Sequence, residues 1–376
     1  MIKFTEPYIS GLEEKFIQEV FEKRNFAGDG QFSEKLSSFF KEKFSLDYSL
    51  ITPSCTHSLE MAAILADIKE GDEVILPSFT FTSTANAFVL RGARLKYVDI
   101  RKDTLNINET LIESAITKKT KAIIPVHYAG VSCEMDQIME IANAKDIFVI
   151  EDAAQGIDAK YKGQYLGGIG HLGAISFQQT KNIHCGEGGA LFCSNEELFK
   201  RAEVIREKGT NRKHFLRGEV DKYSWVDIGS SYLPTELANA FLYGQFAKYK
   251  DVTKRRLEIW NKYFSELSDL SDQERVILPG VPSHCEHNAH LFYLRVSTSK
   301  EASRMVSYFK ENGIQGTTHY VPLHLSSFGK KVGEFVGEDK FTSSESSQMV
   351  RLPLHMNLSD KDVSKVIEVI KNFFKS

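Results

Sequence analysis

Several features that would mark other classes of protein are scarce in this 376-residue sequence. The five cysteines (Cys55, Cys133, Cys185, Cys193, Cys285) are odd in number and show no CxxC spacing. That argues against a disulfide framework and against a cysteine-based structural zinc site. None of the eleven histidines is spaced HxxxH or HExxH, so no metal site is expected. No stretch approaches 18 consecutive apolar residues, and no membrane span is expected. The opening Met1-Ile2-Lys3-Phe4-Thr5-Glu6-Pro7 lacks the apolar run of a secretory signal, and Glu13 and Glu14 follow it. Charge of one sign is missing as well. Lys plus Arg total 47 against 50 Asp plus Glu, and a net charge of −3 gives no long-range field for nucleic acid or membrane. The expectation is a reduced, cytoplasmic chain.

Apolar material is plentiful by comparison. Hydrophobic residues make up 42 %, with 26 Phe and 14 Tyr, which is enough for a large core and too much for disorder. The length suggests two or three structural units. From about Leu50 to Ser194, short apolar runs alternate with stretches of helical period. Strands are expected at Asp72–Pro77, Leu95–Val98, Ala122–His127, Ile147–Asp152, Ala174–Gln178 and Ala190–Ser194. Helices fit at Thr56–Ile68, Ser83–Arg91, Glu109–Ala115, Cys133–Lys145 and Asn195–Glu207. Continuous apolar strands alternating with helices predict an α/β fold with a mostly parallel, helix-covered sheet. After Phe246 the character changes: a long amphipathic helix over Asp251–Leu267, a strand at Leu291–Val296, a helix at Glu301–Asn312, strand-like residues near Gly316–Val321 and a last helix at Asp360–Phe374. This predicts a large domain over residues 1–250 and a smaller α+β domain over 251–376.

Gly168-Ile169-Gly170-His171-Leu172-Gly173 spells GxGxxG. A dinucleotide site requires those glycines to follow a strand and open a helix, so that the pyrophosphate meets the helix N-terminus. Here they run into an expected strand, and a tight loop is the better reading.

Two expected strands end in unusual polar residues, Glu151-Asp152-Ala153-Ala154-Gln155 and Gln178-Gln179-Thr180-Lys181-Asn182. Ligands collect beyond the C-terminal ends of such strands, where Asp152 and Lys181 can converge. A carboxylate and a lysine in one pocket suit pyridoxal phosphate chemistry: the lysine binds the cofactor covalently, and the acid keeps its pyridine nitrogen protonated. Ser54 and Thr56 lie where a hydroxyl-rich loop enters a helix, a place that favours a phosphate. Ser176 adds a donor on the strand leading to Lys181. Each feature alone has an ordinary explanation: a solvated lysine, a turn-capping aspartate, an N-cap serine.

Taken in order, the hydroxyl loop, Pro77-Ser78-Phe79-Thr80-Phe81, Glu151–Gln155, Ser176-Phe177-x-x-Thr180-Lys181-Asn182 and Gly186-Glu187-Gly188-Gly189 resemble the DegT/DnrJ/EryC1/StrS family from about Phe4 to the C-terminus. Those are nucleotide-sugar aminotransferases of the fold-type I pyridoxal phosphate class. Four segments resemble the family's dTDP-4-amino-4,6-dideoxygalactose transaminase group: Thr52–Thr56, Pro125–Val131, Asp227–Tyr232 and His319–His324. The resemblance implies that Lys181 is the Schiff-base lysine, Asp152 the partner of the pyridine nitrogen and Gln155 a neighbour of the phenolic oxygen. It implies that Phe81 stacks on the ring and that Cys55, Thr56 and Ser176 form the phosphate cup. Two departures stand out. Cys55 replaces a usual Gly, which an amide donor tolerates. Ser231, in Gly229-Ser230-Ser231-Tyr232-Leu233, replaces an Asn that reaches the phosphate from the neighbouring subunit, and the dideoxygalactose group shares this serine.

The implied reaction takes nitrogen from L-glutamate to C4 of dTDP-4-keto-6-deoxy-D-glucose, in a homodimer with shared sites. A lysine at 181 argues against the dehydratases of this family, which have His there. His127, His319, Tyr320 and His324 are candidate sugar or diphosphate contacts, and Arg212, in a basic turn over residues 211–217, is a candidate diphosphate clamp. Amination at C3, a gluco product and a UDP or GDP carrier are the nearest alternatives. A non-catalytic regulator on the same scaffold is the remote one.

Overall fold

The computed structural model describes residues 1–375. An eight-stranded sheet runs in the order Tyr48–Thr52, Gly189–Cys193, Leu172–Ser176, Phe148–Asp152, Thr120–Ile123, Glu73–Pro77, Arg94–Val98, Gly333–Phe335. Only Gly189–Cys193 opposes the direction of the rest. Covering helices bury both faces, and Leu172–Ser176 is buried at every position, so these strands read as continuous apolar runs without alternation. The five expected helices lie at Cys55–Leu65, Thr82–Val89, Glu109–Ala115, Met135–Lys145 and Glu196–Arg206. Side chains of Ser54, Asn108 and Asn195 cap three of them, accepting from His57, Thr110 and Leu198 amides. The expected strand over Ala122–His127 stops at Ile123, because Pro125 has no N–H to continue the ladder.

Two helices precede the first strand, Glu13–Lys23 and Gln31–Phe44, and a third lies at Glu236–Phe246. They close over the sheet through aromatic contacts. Phe40 packs edge-on to Phe192 and Phe246 and stacks on Phe177, with centroids 6.2 Å apart. Phe177 is thereby fixed at zero exposure, one residue past Ser176.

Beyond these elements, the helix Tyr249–Asp272 leads to an antiparallel pair, Phe292–Arg295 with Met349–Leu352, and to the helices Ser299–Glu311 and Asp360–Phe373. Trp260, Tyr263, Phe292, Val350, Val366 and Ile370 belong to a core of their own. Short segments cross the expected division at residue 250 in both directions. Gly333–Phe335 is an edge strand of the large sheet, and Ile2 joins the smaller core and pairs with Ile314. The strand-like stretch expected near Gly316–Val321 is a loop with a single bridge, Thr317 to Arg351. No helix among the described residues is long and apolar enough to cross a membrane.

The glycine-rich stretch ends in Leu172–Ser176 and opens no helix. Its amides already hold an anion, the carboxylate of Glu151. Gly167, Ile169 and Gly170 donate to it at 2.8, 2.7 and 2.6 Å. His127 Nε2 lies 2.8 Å from the same carboxylate. The loop turns so tightly that a Cβ on Gly173 would meet the Gly167 carbonyl at 2.1 Å. A buried carboxylate stripped of these donors is costly. We expect Glu151→Gln to lower stability by about 2–4 kcal/mol, because the new amide NH2 opposes N–H donors at full burial. Urea denaturation followed by circular dichroism measures this.

Candidate active site

At the C-terminal ends of the central strands lies a cleft of about 550 Å³. Strand alternation sends adjacent acids to opposite sides, so Glu151 serves the glycine loop and Asp152 the cleft. Asp152 is nearly buried. Its Oδ2 accepts from the Thr84 hydroxyl at 2.6 Å and its Oδ1 from the Ala154 amide at 3.1 Å. Thr84 in turn lies 2.7 Å from the Thr80 hydroxyl. The carboxylate is thus fixed in direction.

Lys181 sits in the turn between Leu172–Ser176 and Gly189–Cys193. Phe177 anchors that turn, its amide donating to Gly188 and its carbonyl accepting from Cys185 at 2.8 and 2.9 Å. Beyond Lys181, Asn182 donates to the Asn288 carbonyl at 3.0 Å and lies 3.0 Å from His290 Nδ1. Asn288 donates to the carbonyls of Gln155 and Ile157 at 2.8 and 2.7 Å. This network ties the loop after Lys181 to the loop after Asp152. Burial pushes the Lys181 pKa down from 10.5; Cys55 and Asp152 oppose that push and the charge of Arg351 adds to it.

Gln155 is held through its carbonyl, which accepts from the Ala129 amide at 2.7 Å, and its NH2 reaches the Tyr320 hydroxyl at 3.4 Å. Tyr320 stacks on His319 with centroids 3.7 Å apart, and His319 Nδ1 lies 3.0 Å from the Tyr128 hydroxyl. Burial, with nearby Arg351 and Lys181, drops the His319 pKa to about 2, so the ring is neutral. Burial raises Tyr320 to about 12.

The residues present fit pyridoxal phosphate. At one end, the first helical hydrogen bond of Cys55–Leu65 runs from Ser58 to the Ser54 carbonyl, which leaves the preceding amides of Cys55 and Thr56 free for an anion. Gly189 makes the room, since a Cβ there would come 2.4 Å from the Cys55 nitrogen. Ser176 lines the same end. At the other end stands the anchored Asp152 carboxylate. Phe81, at the mouth, is 57 % exposed and offers a free ring face.

Cys55, Thr56, Phe81, Asp152, Gln155, Ser176, Lys181, His319 and Tyr320 therefore converge on one cleft. Four expected residues do not join them. His127 has zero exposure and both ring nitrogens are engaged: Nδ1 accepts from the Cys133 amide at 3.1 Å and Nε2 faces Glu151. It holds the wall and cannot touch a sugar. His324 is spent between Ser78 Oγ at 2.7 Å and Asp339 at 3.0 Å, pinning the loop that carries Tyr320 to the sheet. Arg212 is paired with Glu207 at 3.2 Å outside the cleft, and the rest of its basic turn is neutralised by Asp29, Glu203 and Glu219. Ser231 is exposed and lies away from this chain's cleft. Sequence reasoning missed Thr84, Asn288, His290 and Arg351, which carry no local signal. Among the described residues no group of three or more His, Cys, Asp or Glu could hold a metal.

Lys181 gives a pH-dependent stability. Its folded pKa lies below 10.5, so between the two values the unfolded chain binds the extra proton and stability rises with pH. In the cofactor-free protein, Lys181→Met should stabilise most at pH below the folded value, with the gain shrinking as pH rises toward 10.5. Urea denaturation at neutral and alkaline pH measures it; a pH-independent gain would assign the effect to packing.

Residues 7–371 match the DegT/DnrJ/EryC1/StrS aminotransferase family. The chain is 34 % identical to an uncharacterized protein of Methanocaldococcus jannaschii, over 98 % of this chain and 97 % of that protein. It is 33 % identical to the spore coat polysaccharide biosynthesis protein SpsC of Bacillus subtilis, over 92 % and 89 %. Among solved structures it resembles the aminotransferase TlmJ of Streptoalloteichus hindustanus, with a TM-score of 0.91, 25 % identity and coverage of 100 % and 99 %. A Streptococcus pneumoniae protein solved in both PLP and PMP forms is similar at 25 % identity; its PLP form has a TM-score of 0.88 and coverage of 99 % and 98 %. The chain belongs to the DegT/DnrJ/EryC1/StrS aminotransferase family, a pyridoxal phosphate-dependent transaminase for a nucleotide-linked keto sugar.

Proposed function

We propose that the protein transfers the amino group of L-glutamate to C4 of dTDP-4-keto-6-deoxy-D-glucose, giving dTDP-4-amino-4,6-dideoxygalactose for a cell-surface polysaccharide. The observation that carries the transamination is the convergence of Lys181, whose proton affinity burial lowers, with the anchored Asp152 and Gln155. The sugar assignment is supported by the four segments quoted above, with Ser231 among them. When bound, pyridoxal phosphate supplies an electron sink beside the carbon that exchanges nitrogen. The protein supplies the rest. Amides of Cys55 and Thr56 with Ser176 would hold the cofactor's phosphate, and Asp152 would keep its pyridine nitrogen protonated. Lys181, whose proton affinity burial lowers, carries a proton to and from the donor's α-carbon. Gln155 points its NH2 to the Tyr320 hydroxyl at the cleft wall, and Phe81 would shield the bound cofactor from water.

A homodimer is part of the proposal. Leu216, Tyr223, Trp225, Val226 and Ile228 are exposed apolar residues clustered in sequence ahead of Ser231, with Trp225 at 79 %. A second copy covering them would carry Ser231 toward the phosphate end of its own cleft. A cytoplasmic location belongs to the same reading.

Purified protein with pyridoxal phosphate should be yellow, and glutamate alone should shift its absorbance and release 2-oxoglutarate. With dTDP-4-keto-6-deoxyglucose added, NMR should show an axial C4 amine. An equatorial C4 amine would give the gluco product, and a C3 amine would overturn the sugar assignment. Lys181→Ala should lower turnover by roughly 10²–10⁴-fold or more. Wild-type turnover in that variant would refute the role of Lys181.

A further inference from the structure

A buried hydroxyl has one proton to give, so the direction of a hydroxyl chain follows from its ends. Thr80, Thr84 and Asp152 are buried, and all three line the cleft. Thr84 lies in the helix Thr82–Val89, Thr80 in the bend before it, and Asp152 ends the strand Phe148–Asp152. A carboxylate only accepts, so the 2.6 Å contact with Oδ2 spends the single proton of Thr84. The 2.7 Å contact between the two threonines must then run from Thr80 to Thr84. Every proton in the chain finds an acceptor in that direction. The reverse direction starts from a neutral Asp152 giving its proton to Thr84, which gives its own to Thr80. The Thr80 proton is then left over, because among the described residues the Thr80 hydroxyl has no partner other than Thr84. A buried donor without an acceptor is costly. The chain has one favourable direction, and it ends on a carboxylate. The Ala154 amide donates to Oδ1 at 3.1 Å, so both carboxylate oxygens meet donors. Valine has nearly the same shape as threonine, and packing alone gives no reason for a hydroxyl at position 84.

We infer that Thr84, backed by Thr80, is a positioning residue of the transaminase: it holds Asp152 as a carboxylate toward the pyridine nitrogen of pyridoxal phosphate, so that the proton between them rests on the ring. The ring draws electrons from the reacting carbon only while that nitrogen is protonated. A donor on Oδ2 lowers the basicity of the carboxylate, which leaves the shared proton with the nitrogen. Without Thr84, the carboxylate competes for that proton and is free to turn away from it. Thr84 acts through Asp152, and no bond is made or broken at it. The role depends on the cofactor and not on the amino donor or the sugar proposed above.

Holoenzyme loaded with pyridoxal phosphate carrying an isotopically labelled ring nitrogen tests this by NMR. The wild-type signal should sit where a protonated pyridine resonates. Thr84→Val should move it toward the position of neutral pyridine. In the same variant the saturated rate of the glutamate half-reaction should fall roughly ten- to hundredfold, the size of a lost charge-assisted hydrogen bond. The saturation constant for glutamate should stay unchanged. Thr84→Ser keeps the proton donor and should restore both the signal and the rate. Thr80→Val should move both in the same direction by less, and it carries the test should Thr84→Val fail to fold. A nitrogen signal that stays at the wild-type position in both valine variants would overturn the inference, whatever the rate does, and leave Thr84 a packing residue. A serine variant as impaired as the valine one would overturn it too. The nitrogen signal needs neither donor nor sugar. Wild-type protein that ignores glutamate, or aminates no nucleotide keto sugar, would therefore refute the proposed function and leave Thr84 as assigned.

Discussion

The Glu151 carboxylate fixes the end of the sheet from which the cleft is built. Three amides of the glycine loop and the ring of His127 converge on it at full burial. His127, so oriented, accepts the Cys133 amide and holds the turn over residues 127–133. Within that turn Ala129 takes a left-handed backbone (φ 61°) and presents its amide to Gln155. One residue beyond Glu151, strand alternation delivers Asp152 into the cleft. The Glu151 carboxylate thus sets the positions of two side chains that line the cleft and does not line it itself. Residues 168–173, which spell a nucleotide-binding motif, are an anion-binding loop after all, but the anion is the protein's own.

That outcome explains what was legible in the sequence. The central strands and their helices were readable because a sheet covered on both faces needs unbroken apolar runs. The convergence of Asp152 and Lys181 followed from where such strands end. His127 misled because a histidine at a strand end looks the same whether it meets a ligand or a buried glutamate 24 residues on. His324 misled for the same reason, since Ser78 and Asp339 reach it from two separate elements. The Gly333–Phe335 strand left no trace, because three residues pairing with a strand more than two hundred positions away carry no periodicity of their own. Thr84 and Arg351 were hidden likewise; their meaning lies in partners, or the lack of partners, that only the fold supplies.

Charge followed the same logic. The balance of −3 gave no global field, and the basic turn over residues 211–217 was the visible candidate for gripping phosphates. In the fold that turn is tied down by Asp29, Glu203, Glu207 and Glu219. Cation density at the surface proved a poor guide to anion binding, because exposed charges find counter-charges cheaply. The informative cations are few and lie in the cleft, where partners are scarce.

Three of them, Lys181, Arg256 and Arg351, line that space, and their chemistry sorts their duties. Burial lowers the proton affinity of both Lys181 and Arg351. A guanidinium starts so high that it remains charged, whereas an amine starting at 10.5 is brought within reach of losing its proton. The permanent charge of Arg351 then adds to the burial that lowers the proton affinity of Lys181. The cleft thus sets guanidinium groups that keep their charge beside one amine whose proton affinity burial lowers.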